Sequence, residues 1–248
     1  MERVKLTIEY YGSNYVGWQK QKNGKSIQEE IESCLEKLFK VKIQIFVSGR
    51  TDAGVHALAQ IAHFDLEKSN IKITKISFAL NYFLKKTNNQ ITILKSEKVS
   101  SSFDSRFSVK QKTYLYKILN RSTPSFILEN RVWYFPRKLN ITRMKDSSEV
   151  LIGKKDFNAF RSINCQAKTS LRSITKIKIK KSKDNVEIRV LGRSFLHNQV
   201  RIIVGTLVNV GIEKWNKKKV LKILESKDRN NAGPTAPSCG LYLEEVSY

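Results

Sequence analysis

Residues 4–10 alternate apolar and polar side chains with a period of two, as a half-buried strand does. After a turn at Tyr11-Gly12-Ser13-Asn14, the run Ser26-Ile27-Gln28-Glu29 has the form of a capping box with Ser26 at the N-cap. Ile27, Ile31, Leu35 and Leu38 continue at helical spacing behind it. Ile43, Ile45 and Val47 alternate again and lead into a glycine-flanked loop, and residues 60–66 predict a further strand. Residues 74–85 predict a helix with Ile76, Leu80 and Phe83 on one face, and residues 90–95 a strand.

The pattern restarts near residue 105. Residues 112–118 alternate strongly, and a helix is expected over 142–152. Strands follow at 173–180 and 186–191, and Val200, Ile203, Val204, Leu207 and Val208 mark an apolar helix face. A short helix near 217–225 and a last strand from Leu241 complete the set. Helices alternate with strand groups twice, and consecutive strands read as antiparallel pairs. The expected class is α+β with two related halves, residues 1–105 and 106–248, each an antiparallel sheet with flanking helices.

Composition narrows the class. With 40% hydrophobic residues and 12 Phe, 9 Tyr and 3 Trp, the 248 residues have material for a core, unlike a disordered basic tail. No stretch reaches the roughly 18 apolar residues of a membrane helix, and Glu2, Arg3 and Lys5 interrupt the N-terminus where a signal peptide would be apolar. Cys34, Cys165 and Cys239 are far apart and form no CxxC pair, which argues against a disulfide framework or structural zinc and for a reducing cytoplasm. The net charge of +24 is divided between residues 1–124 (21 basic, 11 acidic) and 125–248 (25 basic, 11 acidic). Both halves carry the excess, so the folded body presents a wide positive surface suited to nucleic acid. A Lys-rich compositional bias would raise the same count.

The candidate sites differ in strength. Gly24-Lys25-Ser26 ends like a phosphate-binding loop, but the glycine required five positions earlier is Gln19, so Ser26 is better read as a helix cap. His56, His63 and His197 have no metal-ligand spacing, even with Asp52 or Asp65 added, and no metal is expected. The loop Gly49-Arg50-Thr51-Asp52-Ala53-Gly54-Val55-His56 places one carboxylate and one cation between two strands, where chemistry is often built. A structural Arg–Asp turn fits the same residues. Arg201, between Val200 and Ile202, needs an anionic partner or a route to water; an exposed position on an amphipathic helix satisfies it equally. Tyr114 and Tyr116 share one strand face amid Lys110, Lys112 and Lys117, as a base-stacking platform or as core.

Taken in order, these segments carry a resemblance. Ser48-Gly-Arg-Thr-Asp-Ala-Gly-Val-His56 resembles the signature loop of the tRNA pseudouridine synthase A (TruA) family. So do Ser26-Ile-Gln-Glu29, Ala59-Gln-Ile-Ala-His-Phe64, Phe103-Asp-Ser-Arg-Phe107, Lys112-Thr-Tyr-Leu-Tyr116, Asp156-Phe-Asn-Ala-Phe-Arg161, Phe195-Leu-His-Asn-Gln-Val-Arg201 with Gly205, and Thr235-Ala236 with Gly240-Leu-Tyr-Leu243. The matches run nearly the length of the chain. Gln199 stands where the family usually has Met, and Ser170-Leu171 replaces a Pro-aromatic pair.

The resemblance implies an isomerase that converts uridine to pseudouridine at positions 38, 39 and 40 of the tRNA anticodon stem-loop. It implies two α+β halves around a basic cleft, a homodimer in which one tRNA touches both subunits, and no metal or other cofactor. Asp52 matches the family's catalytic aspartate, and Arg201 the arginine that pairs with it. Tyr114 matches the active-site tyrosine that packs on the target base, and Arg50 the arginine that holds the target nucleotide out of the helix. A non-catalytic RNA-binding protein on the same scaffold is one rival. A metal-dependent nuclease or glycosidase using Asp52 with Asp65 or Asp104 is another.

Overall fold

The computed structural model of the chain describes residues 1–67 and 70–248. It divides into two compact units: Met1–Lys110 with Tyr242–Tyr248, and Gln111–Leu241. The break thus falls a few residues beyond the expected one at 105, and the last strand returns to the first unit. The reason is local. Lys110 donates its N–H to the Ser247 carbonyl, and Tyr248 donates to the Ser105 carbonyl while its ring packs on Phe103.

The first unit contains β1 (Glu2–Tyr10), α1 (Ile27–Phe39), β2 (Phe46–Val47), β3 (His56–Leu66), α2 (Ile73–Lys86) and β4 (Ile91–Val99). Its strands are ordered β4-β1-β3, antiparallel throughout, with β2 antiparallel on the far side of β3. Ser26 caps α1 as its sequence predicts, accepting the Glu29 N–H at 3.2 Å. The helix buries Ile27, Ile31, Cys34 and Leu35, at about 2 kcal/mol for each large apolar side chain. It ends where Lys40 turns left-handed at φ 62°. On α2 the buried face is Ile76, Ser77, Leu80 and Leu84, so Leu84 takes the place expected for Phe83.

The second unit contains β5 (Gln111–Leu119), β6 (Trp133–Tyr134), α3 (Ile141–Ser148), β7 (Gly153–Asp156), β8 (Leu171–Ser182), β9 (Asn185–Gly192), α4 (Gln199–Gly211) and α5 (Lys217–Ser226), and the chain ends in β10 (Leu241–Ser247). Here β5 pairs antiparallel with β9, β9 with β8, and β8 with β7. Both halves therefore run strand–helix–strand–strand–helix–strand: β1-α1-β2-β3-α2-β4, then β5-α3-β8-β9-α4-β10, with β6, β7 and α5 as additions. The pairing β1-β3-β2 recurs as β5-β9-β8. Two related halves are thus visible in the topology. The sheets are not purely antiparallel, however: β10 pairs in parallel with β3 at Tyr242↔His56 and Leu243↔Ala57, and β6 in parallel with β5. None of the described helices is long and apolar enough to cross a membrane.

Candidate active site

The loop carrying Arg50 and Asp52 joins β2 to β3 and is fixed from beneath by buried polar groups. Gln60, on β3 and fully buried, accepts the Ser48 hydroxyl at 2.7 Å and donates its amide to the Gly49 carbonyl at 2.9 Å. The Tyr10 hydroxyl lies 2.7 Å from Thr51 Oγ1. Burial pushes the Tyr10 phenol up to about 12, so it stays neutral and able to donate. A polar group buried this deeply costs stability unless it is paired, so the network over-determines the loop entry.

The loop is also held from above. Trp18 donates its N–H to the Thr51 carbonyl at 3.0 Å, and Gly17 forms a β-bridge with Asp52. Gly17 has φ +110°, and a Cβ there would lie 2.7 Å from the Thr51 oxygen, so only glycine fits. Gly12 approaches more closely still: a Cβ on it would sit 1.9 Å from the Val55 oxygen. Asp52 accepts the Val55 N–H on its own carbonyl at 3.1 Å, and Gly54 turns the chain at φ +76°. The outcome is a half-buried Asp52 with an exposed Arg50 two residues earlier, on a backbone that has no slack.

His56, His63, Asp65 and Asp104 make structural contacts. His56 is buried, accepts the Gly12 N–H on Nδ1 at 3.0 Å, and stacks between Tyr11 and Tyr242 at 4.9 and 4.6 Å. His63 Nδ1 accepts the Ser105 N–H at 3.1 Å, and burial, with nearby Arg3, holds its pKa down. Asp65 accepts from Arg3 Nε and Nη2, each at 2.7 Å, which lowers its pKa below the usual carboxylate range. Asp104 accepts the Arg106 and Phe107 N–H groups. Among the described residues no group of three or more His, Cys, Asp or Glu is placed to hold a metal ion.

Tyr114 and Arg201 belong to the second unit. Tyr114 lies on β5, 9% exposed, with its ring edge-on to Phe195 at 5.2 Å. Tyr116, on the same strand face, is 0% exposed and donates its hydroxyl to the Pro237 carbonyl at 2.7 Å. Tyr116 is therefore core, and a base-stacking platform made of both tyrosines is not what the strand builds. Lys112 lies on this face as well and is only 8% exposed. A lysine is almost never so buried without a specific partner.

Arg201 sits in the first turn of α4. Its Nε donates to the Ala236 carbonyl at 2.7 Å and Nη1 to Asn198 Oδ1 at 2.8 Å, and Ala236 donates its N–H back to the Arg201 carbonyl. The guanidinium is thus oriented, not drifting on an exposed helix face. The 233–236 segment is pinned by two glycines: a Cβ on Gly205 would lie 1.9 Å from the Pro234 oxygen, and one on Gly233 2.5 Å from the Thr206 nitrogen. Buried Gln199 accepts the Leu196 N–H at 2.8 Å, closing the turn ahead of the helix, a role open to Gln and closed to Met. Spacing does not reveal Gln60 and Ala236 as supports of these segments, because their partners lie 11 and 35 residues away.

Arg50 and Asp52 thus lie on one clamped loop of the first unit, and the second unit carries Tyr114 on β5 and an oriented Arg201 on α4. A family model described as tRNA pseudouridine synthase matches residues 6–108 and 148–248. The chain is 45% identical over 246 residues to "tRNA pseudouridine synthase A" of Neorickettsia sennetsu, covering 99% of this chain and 100% of that protein. It is 45% identical over 247 residues to the protein of the same name from Ehrlichia chaffeensis, with 99% and 100% covered. The Bartonella henselae protein of that name is 42% identical over 248 residues, with both chains covered completely. The ordered motifs, the repeated topology and these full-length matches agree: the chain belongs to the tRNA pseudouridine synthase family.

Proposed function

We propose that this chain isomerises uridine to pseudouridine at positions 38, 39 and 40 in the anticodon stem-loop of tRNA, acting as a cytoplasmic homodimer. The reaction class, an isomerase making pseudouridine in tRNA, is that of the family. The observation that carries the assignment of chemistry is the Asp52 loop, a half-buried carboxylate on a backbone clamped by Gly12, Gly17, Gln60 and Trp18. Such pre-organisation is what a reacting group requires. In this reading Asp52 assists cleavage of the N1–C1′ bond, by attack on the sugar or by proton removal. The uracil rotates, C5 bonds to C1′, the C5 proton leaves and N1 gains one. No atom or electron is gained or lost overall, so no cofactor is called for.

Tyr114 packs on the target base, Arg50 holds the extruded nucleotide, and Arg201 pairs with Asp52. The orientation of the Arg201 guanidinium by Ala236 and Asn198 supports its assignment to a fixed partner. Three free cysteines suit a reducing compartment. Mapping pseudouridine in tRNA incubated with the protein tests the positional claim. Modification confined to 38, 39 and 40 is expected, and modification elsewhere overturns it.

Two further outcomes are expected. Arg201→Met keeps the fold, because α4 retains its apolar face, but lowers turnover at least about a hundredfold by releasing an oriented charge. Unchanged turnover in this variant removes the ion-pair role. tRNA affinity falls about tenfold or more between 50 and 200 mM salt, since a body of charge +24 binds phosphates by counterion release. A flat filter-binding titration contradicts this.

A further inference from the structure

The outward stripe of α2 carries exposed aromatic side chains. Its core face is already supplied by Ile76, Leu80 and Leu84, yet Phe78 and Tyr82 point away from it, 68% and 56% exposed. They are four residues apart and so are neighbours on the helix surface. Lys75 Nζ lies 5.2 Å from the Phe78 ring centroid and Lys86 Nζ 4.5 Å from that of Tyr82. Lys85 and the N-cap residue Lys72 add to the charge, and the helix contains no Asp or Glu. Two exposed aromatics and four lysines therefore share one helix that carries no carboxylate to neutralise them.

We propose that this stripe docks unpaired nucleotides of tRNA at a place separate from the Asp52 loop, with bases stacked on Phe78 and Tyr82 and phosphates held by the lysines. The inference rests on tRNA being the substrate. Charge complementarity selects the occupant. A second copy of the chain presenting the same stripe would set lysine against lysine, and an apolar peptide would leave the ammonium groups unpaired. Single-stranded RNA offers both a π-face for each ring and an anion for each lysine. Lysine over an exposed ring is weakly held, so an incoming base displaces it towards the adjoining phosphate.

The test is tritium release from C5-labelled tRNA as a function of tRNA concentration, using the full chain and the double variant Phe78→Ala/Tyr82→Ala. The expected result is a KM raised roughly tenfold with kcat unchanged. Both side chains are exposed, so the melting temperature stays that of the parent. Tyr82→Phe retains the parent KM, because stacking needs the ring and not the hydroxyl. A double variant with the parent KM overturns the surface while leaving the enzyme reading intact. A parent that neither binds tRNA nor releases tritium removes the enzyme reading and the surface with it. Sedimentation with acidic phospholipid vesicles that the double variant loses, with KM unchanged, reassigns the stripe to a membrane surface. A changed elution volume on gel filtration, with KM again unchanged, reassigns it to a second copy.

Discussion

Asp52→Asn leaves tRNA affinity within a few-fold of the parent and lowers turnover by at least about a thousandfold. The two side chains are nearly isosteric, so the backbone contacts that fix the loop survive: the bridge to Gly17 and the Val55 N–H on the residue-52 carbonyl both use main-chain atoms. One negative charge is lost from a chain of net charge +24, which cannot weaken phosphate contacts and strengthens them slightly if anything. The amide, by contrast, is neither a nucleophile towards C1′ nor a base at physiological pH. Equal losses of binding and rate would mean that Asp52 serves the fold or the tRNA contact, and that the chemistry lies elsewhere.

Gly12→Ala produces the second large effect, through geometry alone. The backbone at Gly12 adopts no left-handed conformation, so the substitution carries no torsional penalty; what it lacks is space. The new methyl would lie 1.9 Å from the Val55 carbonyl oxygen, and a main-chain oxygen cannot swing aside as a side chain can. Either the Asp52–Val55 turn retreats by roughly an ångström or the residue 12 turn does, and the second choice stretches the Gly12 N–H bond to His56. Overpacking of this kind costs about 1–3 kcal/mol, a fall in melting temperature of roughly 3–10 °C for a chain of this size. A shift of that size at a reacting group is expected to reduce turnover about a hundredfold. Thermal unfolding and single-turnover rates check both parts. Unchanged values for both would show that the Gly12 contact does not set the position of the Asp52 loop.

Most of the architecture is written in local patterns. β1 from Val4 onward and β9 alternate because one face is buried, and α1 announces itself through Ser26 and its apolar stripe. The parts that escaped have specific causes. Ile43 and Ile45 alternate with Val47, yet only Phe46–Val47 pairs, because the Ile45 N–H is taken by the Glu32 carboxylate of α1 at 3.1 Å. β6 has two residues, too few to show a period. α3 ends at Ser148 and continues as a 3-10 turn over Glu149–Leu151, stopped by Gly153 at φ +104°. The parallel seat of β10 on β3 depends on residues far apart in the chain, His56 and Tyr242, whose rings stack.

The site was legible in a different way. Nothing in the spacing of Arg50, Asp52, Tyr114 and Arg201 separates a reaction centre from a turn, a core tyrosine and a surface arginine. Their co-occurrence within ordered motifs is what brings them together as a candidate site, and the structure adds the contacts around them: the buried Gln60 amide, the Gly12 and Gly205 close approaches, and the carbonyl of Ala236 that accepts from Arg201. These supports act through backbone atoms and distant partners, which leave little trace in a linear pattern.

The most direct test of the account is tritium release from tRNA labelled at uridine C5, comparing the parent with Asp52→Asn and including a parent sample with EDTA. Release by the parent that persists in EDTA and disappears in the variant is the predicted result. A parent that binds unmodified tRNA and releases no tritium, or a variant that releases it at the parent rate, would contradict the assignment of Asp52 as the residue that opens the glycosidic bond.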